Sequence, residues 1–201
     1  MSNTNSEGCP PWPESRRVAR RDFIVGGALL TFTLAGCEKK KMTPAQARAA
    51  TVPFLWLDAG TVAVLDALGE ILLPGSAAAG LSHYIDHQLS GDAADSMLMI
   101  KYLGIQAPFT VFYKSGLQAT DALAHAVYGK AFPQLSNEQA SMLVTKMSGG
   151  QAEGWQGPPA GLFYFVLRSD AVDVLYGTEA GFEQLGVPYM AHIEPPSRWG
   201  E

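Results

Sequence analysis

The chain has 201 residues, a formal net charge of −5 at pH 7 and two cysteines, Cys9 and Cys37. This length suffices for one domain with a proper core. From Met42 onward it carries 7 lysine and arginine residues against 15 aspartate and glutamate residues, which argues against a nucleic-acid partner. So few cysteines exclude a cysteine-ligated iron–sulfur cluster and a Cys-x-x-Cys-His haem site within this chain.

Residues 20–37 read RRDFIVGGALLTFTLAGC and have the features of an export leader. Positive charge comes first, an apolar run begins at Phe23, and small residues close the segment, as in a secretory signal peptide. The pair Arg20 and Arg21, followed by an acidic residue and Phe23, resembles a twin-arginine signal, which exports proteins that have already folded. We therefore expect residues 1–36 to be a signal peptide and the twin-arginine translocase to be a partner.

The end of this segment, Leu-Ala-Gly-Cys37, is similar to the lipobox of bacterial lipoproteins. By this resemblance, Cys37 is acylated and becomes the first residue of a periplasmic, membrane-anchored protein. Each buried methylene of an acyl chain contributes about 0.8 kcal/mol, so two or three chains hold firmly. The alternative is a transmembrane anchor, although the apolar run is shorter than the ~20 residues that span a bilayer.

The rest of the chain divides into a lipidated amino terminus with a tether at 37–53 and a helical domain at 54–201. The tether is inferred from an alanine-rich stretch with proline near both ends, and Lys39, Lys40 and Lys41 lie where they can contact anionic lipids. A first core helix is predicted from apolar residues at helical spacing, and Pro74 with Gly75 ends it. These apolar residues are Val64, Leu65, Leu68, Ile71 and Leu72.

Further helices follow from the same period. Ser136 and Gln139 have the spacing of a capping box, and the apolar face behind them consists of Ala140, Leu143, Val144 and Met147. Another face consists of Tyr113, Leu117, Thr120, Ala124, Val127 and Ala131. Periodicity cannot assign the apolar run at 162–167 to helix or strand, but its length and the residues that follow it favour a longer helix. We predict an all-α fold: a compact irregular helical domain with an extended glycine- and proline-rich carboxyl-terminal tail.

His83, Asp86 and His87 are the best candidate metal ligands, because two histidines at i and i+4 share one helical face. A free-standing periplasmic lipoprotein that uses them as a metal-dependent enzyme is therefore the alternative function. Against it, Leu81, Tyr84, Ile85 and Leu89 cluster on the opposite face, which predicts that the histidines lie on a solvated surface. His125 and His192 are isolated, and we interpret both as structural or surface residues.

A glycine-rich stretch at 149–159 surrounds Trp155 but lacks the glycine spacing and the lysine of nucleotide-binding loops. We interpret it as a surface linker. Trp155 either packs back on the domain or contributes to a protein interface, where aromatic residues are enriched. No flavin, nicotinamide or haem fingerprint is present, so a cofactor that explains folded export would belong to another chain.

Residues 173–196 read DVLYGTEAGFEQLGVPYMAHIEPP. This ending resembles the small-subunit family called gluconate 2-dehydrogenase subunit 3. The resemblance implies a non-catalytic partner of a glucose-methanol-choline type flavoprotein that oxidises sugars, sugar acids or polyols. It implies no cofactor in this chain, FAD in the large subunit and haem c in a cytochrome subunit. The small subunit would escort the large one through twin-arginine export and stabilise it at the membrane.

The tail suggests a clamp on that partner. Glycines at 177, 181 and 186 allow sharp turns, prolines stiffen an extended course, and aromatic residues with Met190 supply apolar anchors. The candidate interface comprises Trp155, Tyr176, Gly177, Phe182, Pro188, Tyr189, Met190, His192, Pro195 and Pro196. An assembly factor that leaves its client after export is a third possibility.

Overall fold

The computed structural model describes residues 30–33 and 39–187, and this part of the chain is mostly helical, which confirms the predicted all-α class. A two-stranded antiparallel sheet, β1 (Leu30–Thr33) and β2 (Lys39–Met42), comes first. Seven α-helices follow among the described residues: α1 (Pro44–Ala49), α2 (Ala59–Leu72), α3 (Leu81–Ser90), α4 (Phe109–Tyr128), α5 (Asn137–Ser148), α6 (Ala160–Tyr176) and α7 (Glu179–Gln184). Short 3₁₀ turns lie at Met99–Leu103 and Phe132–Gln134.

The predicted helix signals correspond to real helix ends. Asp58 caps α2 by accepting a hydrogen bond from the Thr61 N–H. At α5, Ser136 accepts from the Gln139 N–H while the Gln139 side chain accepts from the Ser136 N–H, so the capping box is confirmed. Each cap satisfies amides that the first helical turn leaves without a partner.

The core lies where α2 and α6 meet the other helices. Helix α2 contacts α3, α4, α5 and α6, and α6 contacts the same set in turn. Fully buried side chains from each helix fill the space between them, so the core is continuous. They include Leu65 and Leu68 of α2, Ile85 of α3, Tyr113 and Leu117 of α4, Leu143 of α5, and Phe163, Val166 and Leu167 of α6.

Gly116 has a packing role at the crossing of α4 and α6. A Cβ atom at this position would lie 2.3 Å from the ring of Phe163, much closer than two carbon atoms can approach. The glycine costs α4 some helix propensity, and it allows the aromatic ring to rest directly on the α4 backbone. The close crossing explains a residue that the helical pattern alone makes unfavourable.

The segment interpreted as a tether is packed on the domain instead. Residues 44–49 form α1, whose Thr43 and Gln46 make a capping box, and α1 contacts α3. Met42, Ala47 and Val52 are buried. The Arg48 guanidinium donates to Asp66 Oδ2 on α2 at 2.6 Å. The tether interpretation is wrong for residues 42–53 because apolar side chains and an ion pair attach them to the helices.

Strand β1 lies inside the segment predicted as a signal peptide. Its residues pair with β2 in the register Leu30 with Met42 and Thr33 with Lys39, and Phe32 is buried. Residues 30–33 therefore belong to the fold. No described helix combines the length and the apolar character that a membrane span needs.

Two other differences concern helix ends. Helix α4 stops at Tyr128, since Gly129 adopts a left-handed conformation with φ of 67°, so Ala131 lies beyond it and Val127 is exposed. The tail is helical rather than extended as far as it is described, because α6 continues to Tyr176 and α7 follows it.

The run at 162–167 lies inside α6 and is confirmed as part of a longer helix.

Candidate functional site

Asp86 of α3 anchors the loop that precedes α2. Its Oδ2 accepts a hydrogen bond from the Leu55 N–H at 2.8 Å, and its Oδ1 accepts from the N–H groups of Trp56 at 2.8 Å and Leu57 at 2.9 Å. The carboxylate is almost completely buried, and charge-assisted hydrogen bonds of this kind are strong. Both carboxylate oxygens of Asp86 therefore accept hydrogen bonds from backbone amides.

His83 lies one turn before His87 on α3 and is only 5% exposed. Its Nε2 lies 3.1 Å from the Val52 carbonyl oxygen, and its ring packs against Phe54 with centroids 4.4 Å apart. Burial lowers the pKa of His83, although the Val52 carbonyl opposes that shift. The prediction that this histidine lies on a solvated face is wrong, because α1, Val52 and Phe54 cover it.

His87 contacts the leader strand. Its Nε2 lies 3.2 Å from the Thr31 carbonyl oxygen, and its ring meets the Phe32 ring edge-on at 5.0 Å. Burial lowers the pKa of His87, and the Thr31 carbonyl and Asp86 oppose the shift. Because a carbonyl only accepts, Nε2–H is the donor in both histidines. Each neutral ring then carries an Nδ1 acceptor, and both Nδ1 atoms are buried without a hydrogen-bond partner.

These residues line one groove, which we call the histidine groove. Its lining residues are Thr31 and Phe32 of strand β1 together with Val52, Pro53, Leu55, His83, Asp86, His87 and Ser90. A second cleft, lined by Arg48, Thr51, Val52, Pro53 and Phe54, adjoins His83 on its other side. The groove is therefore mostly apolar, with two half-satisfied imidazoles in its wall.

The donor set does not favour the metal-dependent alternative. Within residues 30–33 and 39–187, no three histidine, cysteine, aspartate or glutamate side chains converge as metal ligands would. Both oxygens of Asp86 face backbone amides, and both Nε2 atoms face carbonyl groups. His125 is on the exposed side of α4, where its Nδ1 faces the Asp121 carbonyl.

A second buried polar cluster, not foreseen from the sequence, lies in the core between α4 and α6. Tyr113 donates to Asp170 Oδ2 at 2.5 Å, and the Met99 N–H donates to Asp170 Oδ1 at 2.8 Å. Burial raises the pKa of Asp170 to about 7, with Asp173 adding to the shift and the two hydrogen bonds opposing it. An aspartate on the apolar face of α6, between Leu167 and Val174, is the signal that marks this position in the sequence.

Trp155 packs back on the domain. Its Nε1–H donates to the Pro158 carbonyl at 2.5 Å, its ring lies 5.9 Å from that of Phe163, and it is partly buried. This arrangement matches the first of its two predicted roles. Its contribution to an interface stays a prediction.

Tyr176 and Gly177 lie at the end of α6, and Phe182 lies in α7, which follows after two residues. The Gly177 N–H donates to the Asp173 carbonyl, and the Phe182 N–H donates to the Thr178 carbonyl at 3.0 Å. Gly181 lies inside α7, where a Cβ would be 2.5 Å from the Leu175 carbonyl oxygen, so it serves close packing rather than a turn. Helix α6 has 17 residues and is about 25 Å long. Trp155 packs on Phe163 near its start, and the junction of α6 and α7 lies at its other end.

The other predicted residues lie outside the described part of the chain. These are the export residues Arg20, Arg21 and Phe23, the lipidation residue Cys37, and the tail residues Pro188, Tyr189, Met190, His192, Pro195 and Pro196.

An exposed apolar surface beside the histidine groove was not predicted. Leu55 is 55% exposed, Trp56 47% and Val111 66%. The Lys114 ammonium lies 5.6 Å from the centroid of the Trp56 ring, and Val111 lies one turn before Lys114 on α4. Large aromatic and apolar side chains held in solvent by a fixed loop are typical of interaction surfaces.

The comparisons with known proteins identify the family. The family model described as gluconate 2-dehydrogenase subunit 3 matches residues 59–193. This span covers more than half of the chain and includes all the helices from α2 to α7. Neither the curated proteins nor the solved structures give a match. The chain belongs to the gluconate 2-dehydrogenase subunit 3 family.

Proposed function

We propose that this chain is the non-catalytic small subunit of a periplasmic FAD-dependent dehydrogenase that oxidises a sugar, sugar acid or polyol. It binds the flavoprotein subunit before export, escorts it through the twin-arginine translocase, and stabilises it at the membrane. The observation that carries this proposal is the family match over residues 59–193. The order of a paired arginine, an apolar run and Cys37 in the sequence supports the export and anchoring steps.

The chemistry of the described residues supports an accessory role. Three buried or partly buried carboxylates are engaged with the fold: Asp86 with three backbone amides, Asp66 with Arg48 and Ser82, and Asp170 with Tyr113. Catalytic acids and bases instead need access to a substrate. FAD and haem c would thus reside in partner subunits.

Two surfaces support a role in binding another chain. One is the exposed set of Leu55, Trp56 and Val111. The other is the junction of Tyr176 and Phe182, which leads into the proline-rich tail. Trp155 lies near the other end of α6, so a partner that contacts Trp155 as well as these two surfaces must cover a wide face of the domain.

The escort step is tested by changing the arginine pair. The double variant Arg20→Lys, Arg21→Lys keeps the charge and removes the guanidinium pair, and we expect it to leave the flavoprotein subunit in the cytoplasm. Fractionation of cells followed by flavin and activity measurements detects the subunit. The matched control is Arg16→Lys, Arg17→Lys, four residues upstream, which should export normally. Normal periplasmic flavoprotein in the first variant would disprove escort.

The anchor is tested at Cys37. Cys37→Ala should abolish acylation and the cut before residue 37, which mass spectrometry of the membrane fraction measures directly. An unchanged membrane-bound product would support a transmembrane anchor instead. Cys9→Ala is the control, since the proposal assigns that cysteine no role.

Purification from native membranes in mild detergent tests the complex itself. We expect a flavoprotein and a cytochrome c to copurify with this chain in fixed stoichiometry. A chain that emerges alone would overturn the proposal of a permanent subunit. Substoichiometric flavoprotein would favour an assembly factor that leaves its client.

A further inference from the structure

We infer that the histidine groove is a strand-docking surface, which the leader occupies in the precursor and an extended apolar segment of the flavoprotein subunit occupies after the leader is removed. The inference rests on the proposed function, because it requires a cut before Cys37 and a partner subunit. To the proposed function it adds where the flavoprotein subunit contacts this chain, namely the histidine groove, and when the contact forms, namely after the leader is removed.

The occupant of the groove in the full-length chain shows what the groove accepts. Strand β1 pairs with β2 through backbone hydrogen bonds and places Phe32 against His87 at 5.0 Å and His83 at 6.4 Å. The Thr31 carbonyl accepts from His87 Nε2. An extended segment therefore binds here by strand pairing, by one aromatic side chain and by one carbonyl group.

A cut before Cys37 separates the two strands, because β1 ends at Thr33 and β2 begins at Lys39. Once the leader departs, β2 loses its pairing partner and His87 loses the Thr31 carbonyl. Phe32 also leaves the side of the two imidazoles. An unpaired strand edge and a vacated apolar pocket are both unfavourable in water and both favour a replacement strand.

The groove constrains the chemistry of that replacement. Addition of a strand to an exposed edge draws affinity from main-chain hydrogen bonds and specificity from side-chain pockets. Here the position that Phe32 occupies suits a phenylalanine-like ring, since Phe32 is buried and its ring packs against the neutral imidazoles of His83 and His87. The buried Nδ1 atoms of His83 and His87 lack partners, so a donor from the incoming segment would satisfy an acceptor that the leader leaves without one.

Continuity with the exposed apolar surface, which the proposed function assigns to the flavoprotein subunit, favours the same subunit as the occupant of the groove. Leu55 belongs both to the groove wall and to the exposed set with Trp56 and Val111. A chain already bound to that exposed set in the cytoplasm would lie beside the groove when the leader leaves. Docking of its strand would then follow as an intramolecular step within the complex, at high effective concentration.

A peptide-exchange experiment on the full chain tests the groove. A specific protease site is inserted between Gly36 and Cys37, the folded protein is cut, and a fluorescent peptide of residues 27–36 with a lysine tag is titrated. We expect the cut protein to release its leader and bind the peptide, and the uncut protein to show no binding over the same range. A Phe32→Ala peptide should bind at least ten-fold more weakly. Retention of the leader after the cut, or equal binding of both peptides, would overturn the inference.

A photo-crosslinking amino acid at Ser90, which lines the groove, tests the occupant in cells. The unexported precursor should crosslink to its own residues 30–33, and the processed protein should crosslink to the flavoprotein subunit, both identified by mass spectrometry. The same amino acid at Ser141, on the exposed side of α5, is the matched control and should crosslink to neither.

The outcomes separate this inference from the proposed function. If the chain is processed and the flavoprotein copurifies without a crosslink from Ser90, the inference is wrong and the proposed function stands. A crosslink to a second copy of this chain would also contradict it. If the chain is never cut before Cys37, both the lipid anchor and the inference are wrong.

Discussion

The histidine groove and the Tyr113–Asp170 cluster are both buried and polar, yet they satisfy their polar atoms differently. In the core cluster, each oxygen of Asp170 has its own donor. In the groove, His83 and His87 each use one nitrogen and leave the other without a partner. A network in which every polar atom has a hydrogen-bond partner stabilises one arrangement of the core. In the groove, polar atoms without a partner remain available to a different binding segment, as the strand-docking inference requires.

The two regions should also respond to pH in opposite directions. Burial raises the pKa of Asp170 above its usual value of 3.8, so its contribution to stability is complete below pH 4 and is lost as pH rises through 7. Burial lowers the pKa of both histidines, so their contribution is present above pH 6.5 and is lost as pH falls. The core cluster is therefore weakened by base, and the groove by acid.

The largest expected effect follows from Asp86→Ala, which would release the loop before α2 from the side of the groove. It removes the acceptor for three backbone amides, and we expect the free energy of unfolding to fall by about 4 to 5 kcal/mol. Urea denaturation measures the loss. Asp86→Asn keeps one acceptor oxygen and should lose less. Asp92→Ala, at an exposed turn, should cost under about 1 kcal/mol, and equal losses in all three variants would contradict the anchoring role.

The next effect concerns the core cluster and its pH dependence. Asp170→Asn removes the titrating group, so the variant should gain stability relative to the native protein as pH rises from 4 to 8, by at most about 4 kcal/mol. Denaturation at several pH values in that window measures the difference. Asp173→Asn, at an exposed site, is the control and should show a smaller change in the same direction. A difference independent of pH would show that Asp170 is ionised throughout.

The smallest effect concerns the contact between leader and groove. Phe32→Ala in the full-length chain should let water reach the two imidazoles and raise the pKa of His87 toward 6.5, because burial is the main cause of its lowered value. Titration of the histidine signals by NMR measures the shift. An unchanged His87 would contradict the seating of Phe32 in the groove.

Helices were predictable where one face is apolar and the other meets water. The face of Val64, Leu65 and Leu68 defined α2, and the pair Ser136 and Gln139 defined the start of α5, because both signals are local. The family was likewise recognisable from its terminal motif. Each of these features depends on residues that are close together in the sequence.

The site was less predictable because α3 is covered on both sides. Placing Leu81 and Ile85 on the buried face of a helical wheel assigned His83 to water, but α1 and the loop through Phe54 pack against that second face. The β1–β2 pairing was missed because Leu30-Thr31-Phe32-Thr33 alternates apolar and polar residues over only four positions inside a longer apolar run, which is at the lower limit of a recognisable strand pattern. Contacts between distant segments decided both cases.

The contact between Gly116 and Phe163 has a consequence for comparing sequences. The ring of Phe163 occupies the space that any side chain at 116 would need, so the two positions share one fixed volume. Across the family, a residue larger than glycine at the first position should coincide with a smaller one than phenylalanine at the second. This covariation would serve as an alignment landmark for α4 and α6 in relatives too divergent for the terminal motif to be recognised.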